Sequence, residues 1–151
     1  MRSAASSVPD KPFSRRKSGI VSDLIIDCAD PERLASFWGE FLGRPITRRM
    51  GPYVWLKREN GLGMGFQQVA EPKVGKNRVH FDFASQDPAA EQRRVESLGG
   101  QRLKGYETGG FLVMADPEGN EFCIIPKDPF ELDDAGRTSY LNNQDLPPKR
   151  L

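Results

Sequence analysis

Histidine and cysteine are scarce in this chain: His80 is the sole imidazole, and Cys28 and Cys123 are the only thiols. The two cysteines fall in separate apolar segments whose alternation points them to opposite faces, so a disulfide is not expected. Neither sign of charge is in excess, with 22 Lys+Arg against 21 Asp+Glu. That balance argues against nucleic acid or another polyanion as partner. No apolar run approaches the roughly 18 to 20 residues that a membrane span requires. Residues 1–20 also lack the apolar stretch of a secretory signal, so the expected location is the cytosol. At 151 residues the expectation is one domain with a real core.

What the chain does have is an internal repeat. Asp23-Leu-Ile-Ile-Asp-Cys-Ala-Asp30-Pro31 and His80-Phe-Asp-Phe-Ala-Ser-Gln-Asp87-Pro88 are each a short apolar strand, an Asp-Pro pair and a helical stretch ending in Gly. The leading residues are 57 positions apart, and so are the Asp-Pro pairs. Asp30 and Asp87 supply N-caps, with Pro at the first helical position. Leu34, Phe37, Trp38, Phe41 and Leu42 then recur at helical spacing up to Gly43. Strands are expected over 21–28, 45–49, 51–58 and 62–69 in the first unit. The second unit predicts strands over 78–84, 101–108, 110–115 and 121–125, with a helix over 88–98. The fold class is therefore α+β: two βαβββ modules, 19–70 and 77–127, forming a cupped, barrel-like mixed sheet with helices outside. Residues 1–18, rich in Ser, Pro and basic residues, read as a disordered leader. Residues 128–151 read as a C-terminal tail that straps a surface or stays mobile.

Alternation along the two leading strands places the chemistry. Leu24, Ile26 and Cys28 share one face of the first, while Asp23, Ile25 and Asp27 share the other. In the second, Val79, Phe81 and Phe83 oppose His80, Asp82 and Ala84. The apolar faces must pack under the helices, leaving Asp23, Asp27, His80 and Asp82 on a face that is wet or internally paired. A curved sheet with a polar concave side is a cup for a small ligand. Asp82, on the same face as His80, is placed to orient the imidazole as a general base; the plainer alternative is an ion pair with Arg78. Tyr53 and Trp55 share a strand face and suit stacking on a planar ligand, or equally aromatic core packing. Cys123 reads either as a nucleophile with His80 for its base or as a small buried thiol.

The Asp116-Pro-Glu-Gly-Asn-Glu-Phe-Cys123 segment, between two strands, resembles the closing motif of the vicinal oxygen chelate superfamily, the glyoxalase/bleomycin-resistance/dioxygenase fold. Asp30-Pro-Glu-Arg-Leu-Ala-Ser-Phe-Trp-Gly-Glu-Phe-Leu-Gly43 and Asn77-Arg-Val-His-Phe-Asp82 are similar to its actinobacterial-type glyoxalase-like branch. The likeness runs from about Asp23 to Pro126. It implies a homodimer and a divalent ion held by His or Gln and Glu from the first and last strands of each module. The matching positions here are Asp23, Gln67, His80 and Cys123, of which only His80 is standard. The expectation is therefore no dedicated metal and no cofactor, with weak divalent binding at Asp23 and His80 as the alternative.

Two function classes follow. One is a lyase or isomerase acting on a small polar metabolite in the cup, with His80 as base, Asp82 beside it, and Asp23, Asp27, Tyr53, Trp55, Gln67 and Cys123 as ligand-binding residues. The other is a non-catalytic binder of the bleomycin-resistance kind. Glyoxalase I itself is disfavoured, because three of the four ligand positions depart from its pattern.

Overall fold

The structure is a computed structural model, and it describes residues 19–103 and 112–126. The first module runs β1 (Asp23–Cys28), α1 (Pro31–Leu42), β2 (Ile46–Met50), β3 (Tyr53–Glu59) and β4 (Leu62–Gln68). The second repeats it as β5 (Asp82–Ser85), α2 (Pro88–Ser97), β6 (Gln101–Arg102), β7 (Leu112–Ala115) and β8 (Glu121–Pro126). Each module is its own four-stranded sheet, ordered β1-β4-β3-β2 and β5-β8-β7-β6. The first and last strands of each are parallel neighbours. Among the described residues the two sheets do not close into a barrel.

Local chemistry accounts for the boundaries. The Asp30 and Asp87 carboxylates accept from the amides of Arg33 and Ala90, capping the two helices at 3.1 and 3.0 Å. α1 stops where Gly43 turns left-handed at φ 65°. Asn60 and Gly61 both have positive φ, 49° and 77°, the backbone that a tight two-residue hairpin between β3 and β4 demands.

One core joins the two modules. α1 buries Leu34, Phe37, Trp38 and Phe41. The Trp38 ring lies 5.0 Å from that of Phe122 and the Phe41 ring 5.2 Å from that of Phe83, both on the second sheet. The module-one helix therefore fills the module-two interior. The Trp38 indole N–H donates to the Asp116 carboxylate at 3.0 Å. Glu118, in the same turn, accepts from the backbone N–H groups of Ala29 and Asp30 at 2.6 and 2.9 Å. The Asp-Pro-Glu-Gly-Asn turn of one module is thus a latch on the strand–helix corner of the other.

The strand expected over 78–84 begins only at Asp82, and Val79, expected to share the apolar face with Phe81 and Phe83, is 77% exposed. Ahead of β5 the chain meets β8 through a side chain instead of a ladder: the Asn77 amide donates to the Glu121 carboxylate at 2.9 Å, and ladder bonding starts with the Phe81 carbonyl, which accepts from the Cys123 amide. The helix expected over 88–98 ends at Ser97, with Leu98 as its C-cap. The leader, the tail and most of the strand expected over 101–108 fall outside the described residues.

Candidate functional site

The inner ends of β1 and the segment leading into β5 enclose a cavity of about 330 Å³. Its walls are Leu24 to Asp27 from the first module, Asn77 to Phe81 and Asn120–Glu121 from the second, and Trp38 at the base. A wider hollow of about 700 Å³ adjoins it, sharing Asp27 and Asn120 and adding Cys28, Gln67, Lys73 and Glu118. Both lie where the modules meet, as the duplication implied.

His80 Nε2 stands 3.4 Å from Asp82 Oδ1, with the two side chains 36% and 48% exposed. Their neighbour on the same sheet face is Cys123, whose Cα is the register partner of Asp82 across the parallel β5–β8 pair. The ligand atoms of His80, Asp82 and Cys123 all lie within 4.8 Å of one another. Asp27, rather than Asp23, lines the cavity with His80. Asp23 is instead held by the Ser22 hydroxyl and the Arg58 guanidinium, which together keep its carboxyl below the usual carboxylate range. Gln67 lines the wider hollow.

Tyr53 and Trp55 form a stacked pair, ring centroids 6.0 Å apart and planes at 23°. The Trp55 ring lies flat over Gly65, where a Cβ would come within 2.8 Å of it and 3.1 Å of Ile25 Cδ1. Ile25 in turn lines the smaller cavity. The aromatic shelf and the cavity therefore share a wall.

The residue that sequence reasoning passed over is Glu121. It lines the cavity, pairs with Lys73 Nζ at 3.1 Å and accepts from the Asn77 amide. Alternation along β8 sets it on the same face as Cys123, which was the available signal. Burial works against its ionisation, but the Asn77 amide, its own amide and Lys73 outweigh it and hold the carboxyl below the usual 4.5. A carboxyl depressed on folding stabilises the fold above its unfolded value and loses that contribution as pH falls through the folded value. The protection of residues 73–79 from hydrogen exchange, observed rate against the intrinsic rate at the same pH, is therefore expected to fall below about pH 4.5 in the native chain. Glu121→Gln should lower it already at pH 7, and equal protection in both proteins would refute the tether.

Cys28 behaves oppositely. Burial, followed by the negative field of Glu118, Asp116, Asp27 and Asp30, pushes its thiol up to about 12. It stays protonated, donating to the Gln67 carbonyl at 3.4 Å. Iodoacetamide at pH 8 is expected to leave Cys28 unmodified in the folded chain and to label it in denaturant; peptide mass spectrometry reads both states.

The family model of the Glyoxalase-like domain matches residues 23–125. The chain belongs to that family. This glyoxalase-like chain is 19% identical in sequence to a glyoxalase-related enzyme from Fulvimarina pelagi, whose structure superposes with a TM-score of 0.58 over 76% of this chain and 94% of that one. A glyoxalase/bleomycin resistance protein/dioxygenase family enzyme from Burkholderia phytofirmans PsJN gives 0.57 at 18% identity, covering 70% and 96% of the two chains. These likenesses establish the vicinal oxygen chelate fold. Glyoxalase 1 of Caenorhabditis elegans is 23% identical over 117 residues, 70% of this chain but 42% of the worm protein. The glyoxalase-like chain thus spans less than half of that relative's length.

The metal positions implied by the family do not fit a shared ion in this member. Asp23 is committed to Arg58 and Ser22. Among the described His, Cys, Asp and Glu side chains, the donor cluster that includes His80 contains Asp82 and Cys123 but not Asp23. No helix among the described residues is long and apolar enough to cross a membrane.

Proposed function

We propose that this glyoxalase-like protein binds a small polar metabolite in the cavity between its modules and moves a proton on it, as a lyase or isomerase distinct from glyoxalase I. The observation that carries this reading is the His80–Asp82 pair at the cavity wall, 3.4 Å apart. Asp82 does not itself line the cavity; facing Nε2, it holds the imidazole proton there and leaves Nδ1 as the basic nitrogen. Asp27 supplies a second carboxylate, and Arg78, Asn77 and Asn120 offer groups for a polar substrate. Three departures from the four metal positions argue against glyoxalase I chemistry.

The test is solvent-proton exchange. Small carbonyl and hydroxy-acid metabolites that raise the melting temperature are incubated with the protein in deuterium oxide and followed by proton NMR. The reading requires deuterium incorporation that His80→Ala removes. A ligand that binds yet exchanges no proton would leave the second reading, a non-catalytic binder. The stacked Tyr53–Trp55 shelf favours that alternative, since it offers a broad aromatic surface on which a planar ligand can stack.

A further inference from the structure

We propose that the ligand held between the modules is a small zwitterion of the apolar α-amino-acid kind, with its carboxylate on Arg78 and its ammonium on Asp27. The inference rests on the proton-transfer reading above for the choice of cavity, and it names the class of molecule that fits there. Asp27 comes from β1 of the first module and Arg78 from the segment that leads into β5 of the second, and both line the cavity of about 330 Å³. The other carboxylates nearby are committed. Glu121 pairs with Lys73 at 3.1 Å and accepts from the Asn77 amide. Asp82, the alternative partner that the sequence offers Arg78, stands 3.4 Å from His80. Among the described residues the side chains of Asp27 and Arg78 make no hydrogen bond and no ion pair, with each other or with any other group.

Two opposite charges kept apart across one hollow select their ligand. The guanidinium nitrogens of Arg78 and the carboxylate oxygens of Asp27 stand more than 4.0 Å apart, so neither group neutralises the other. A ligand with a single charge satisfies one wall and displaces water from the other without giving it a partner, which is unfavourable. A net-neutral ligand that carries both charges satisfies both. Guanidinium takes a carboxylate through two parallel N–H groups, and a free carboxylate accepts from an ammonium. Much of the remaining wall is apolar, with Leu24, Ile26, Trp38 and Phe81, and suits an aliphatic or aromatic side chain beside the charged head. A volume of about 330 Å³ lies at the lower end of ligand cavities, roughly 300 to 1,000 Å³, so the molecule is small. His80 lines the same cavity. In the transfer step the C–H bond beside the carboxylate breaks, the proton passes to the basic nitrogen of His80, and the electron pair enters the carboxylate, where the Arg78 cation stabilises the added charge. The reverse step returns a proton to that carbon.

His80 is the sole imidazole, so its ring proton resonances in the full native chain report on the cavity. L-leucine and L-phenylalanine are the probes. At least one is expected to shift those resonances to saturation at pH 7. Its amide, which lacks the carboxylate, and its N-acetyl form, which lacks the ammonium, should each need about tenfold higher concentration or more. Arg78→Gln should erase the preference for the amino acid over its amide while keeping the preference over the N-acetyl form, and Asp27→Asn should do the reverse. A merely structural role of either residue would instead weaken all three ligands alike, and that uniform loss overturns the proposal. So does the absence of a shift with both amino acids, or equal binding of the amino acid and its two derivatives; these native-chain results decide even where a variant fails to fold. Deuterium uptake separates the two readings. Charge-selective binding without uptake at the α-carbon counts against proton transfer and leaves the zwitterion site standing, whereas uptake into the amide as fast as into the amino acid overturns the zwitterion site and leaves proton transfer in place.

Discussion

Asp116→Ala is expected to destabilise the protein by about 3 to 5 kcal/mol, read as a fall in the urea midpoint at unchanged slope. Asp116 is 2% exposed, and its carboxylate accepts from the Trp38 indole, the Asn120 side-chain amide and the backbone amides of Glu118 and Asn120. Burial raises its pKa, opposed by the bonds from Asn120, Trp38 and Glu118. Removing the carboxylate strands one buried donor, the Trp38 indole, at about 1 to 3 kcal/mol, and leaves the part-buried amides of Glu118 and Asn120 without their acceptor. Trp38→Phe removes only one donor while keeping most of the ring. A double-mutant cycle of the two should therefore show coupling of about 1 kcal/mol or more. Losses below about 1 kcal/mol for Asp116→Ala would mean that the latch between modules contributes little.

His80→Ala should lower proton exchange on a substrate by about 10²- to 10⁴-fold, the range of positioned acid–base catalysis. Its stability should move by no more than about 0.5 kcal/mol, because the side chain is over a third exposed and outside the aromatic core. Asp82→Asn retains the shape but not the charge behind the imidazole, so it should act on the rate rather than on binding. The contrasting result is specific. If Trp55→Ala weakens ligand binding about 3- to 10-fold while His80→Ala changes nothing, the shelf is the functional surface and the protein a binder.

Particular elements show how far the sequence reached. The order of strands and helices was legible because each signal is local: the Asp-Pro caps, the Gly43 stop, the Asn60-Gly61 hairpin and the repeat of 57 positions. His80 and Asp82 lie together, as alternation suggested, although His80 stands ahead of β5 and outside the strand. The later start of β5 goes with a contact from 44 positions away, the Glu121 carboxylate, a competitor for the chain just ahead of it. Nothing in the local pattern of residues 77–81 records that competitor.

By itself, then, the chain's one-dimensional pattern determined the duplicated βαβββ plan, the apolar and polar faces of each strand, and the residue types available for chemistry. Only the tertiary structure decided that Asp27 rather than Asp23 shares the cavity with His80, and that Asp116 bonds Trp38 across 78 positions. It alone gathered His80, Asp82 and Cys123 on one sheet face. Periodicity and capping are set by near neighbours, whereas these juxtapositions depend on how one module's helix packs into the other's core.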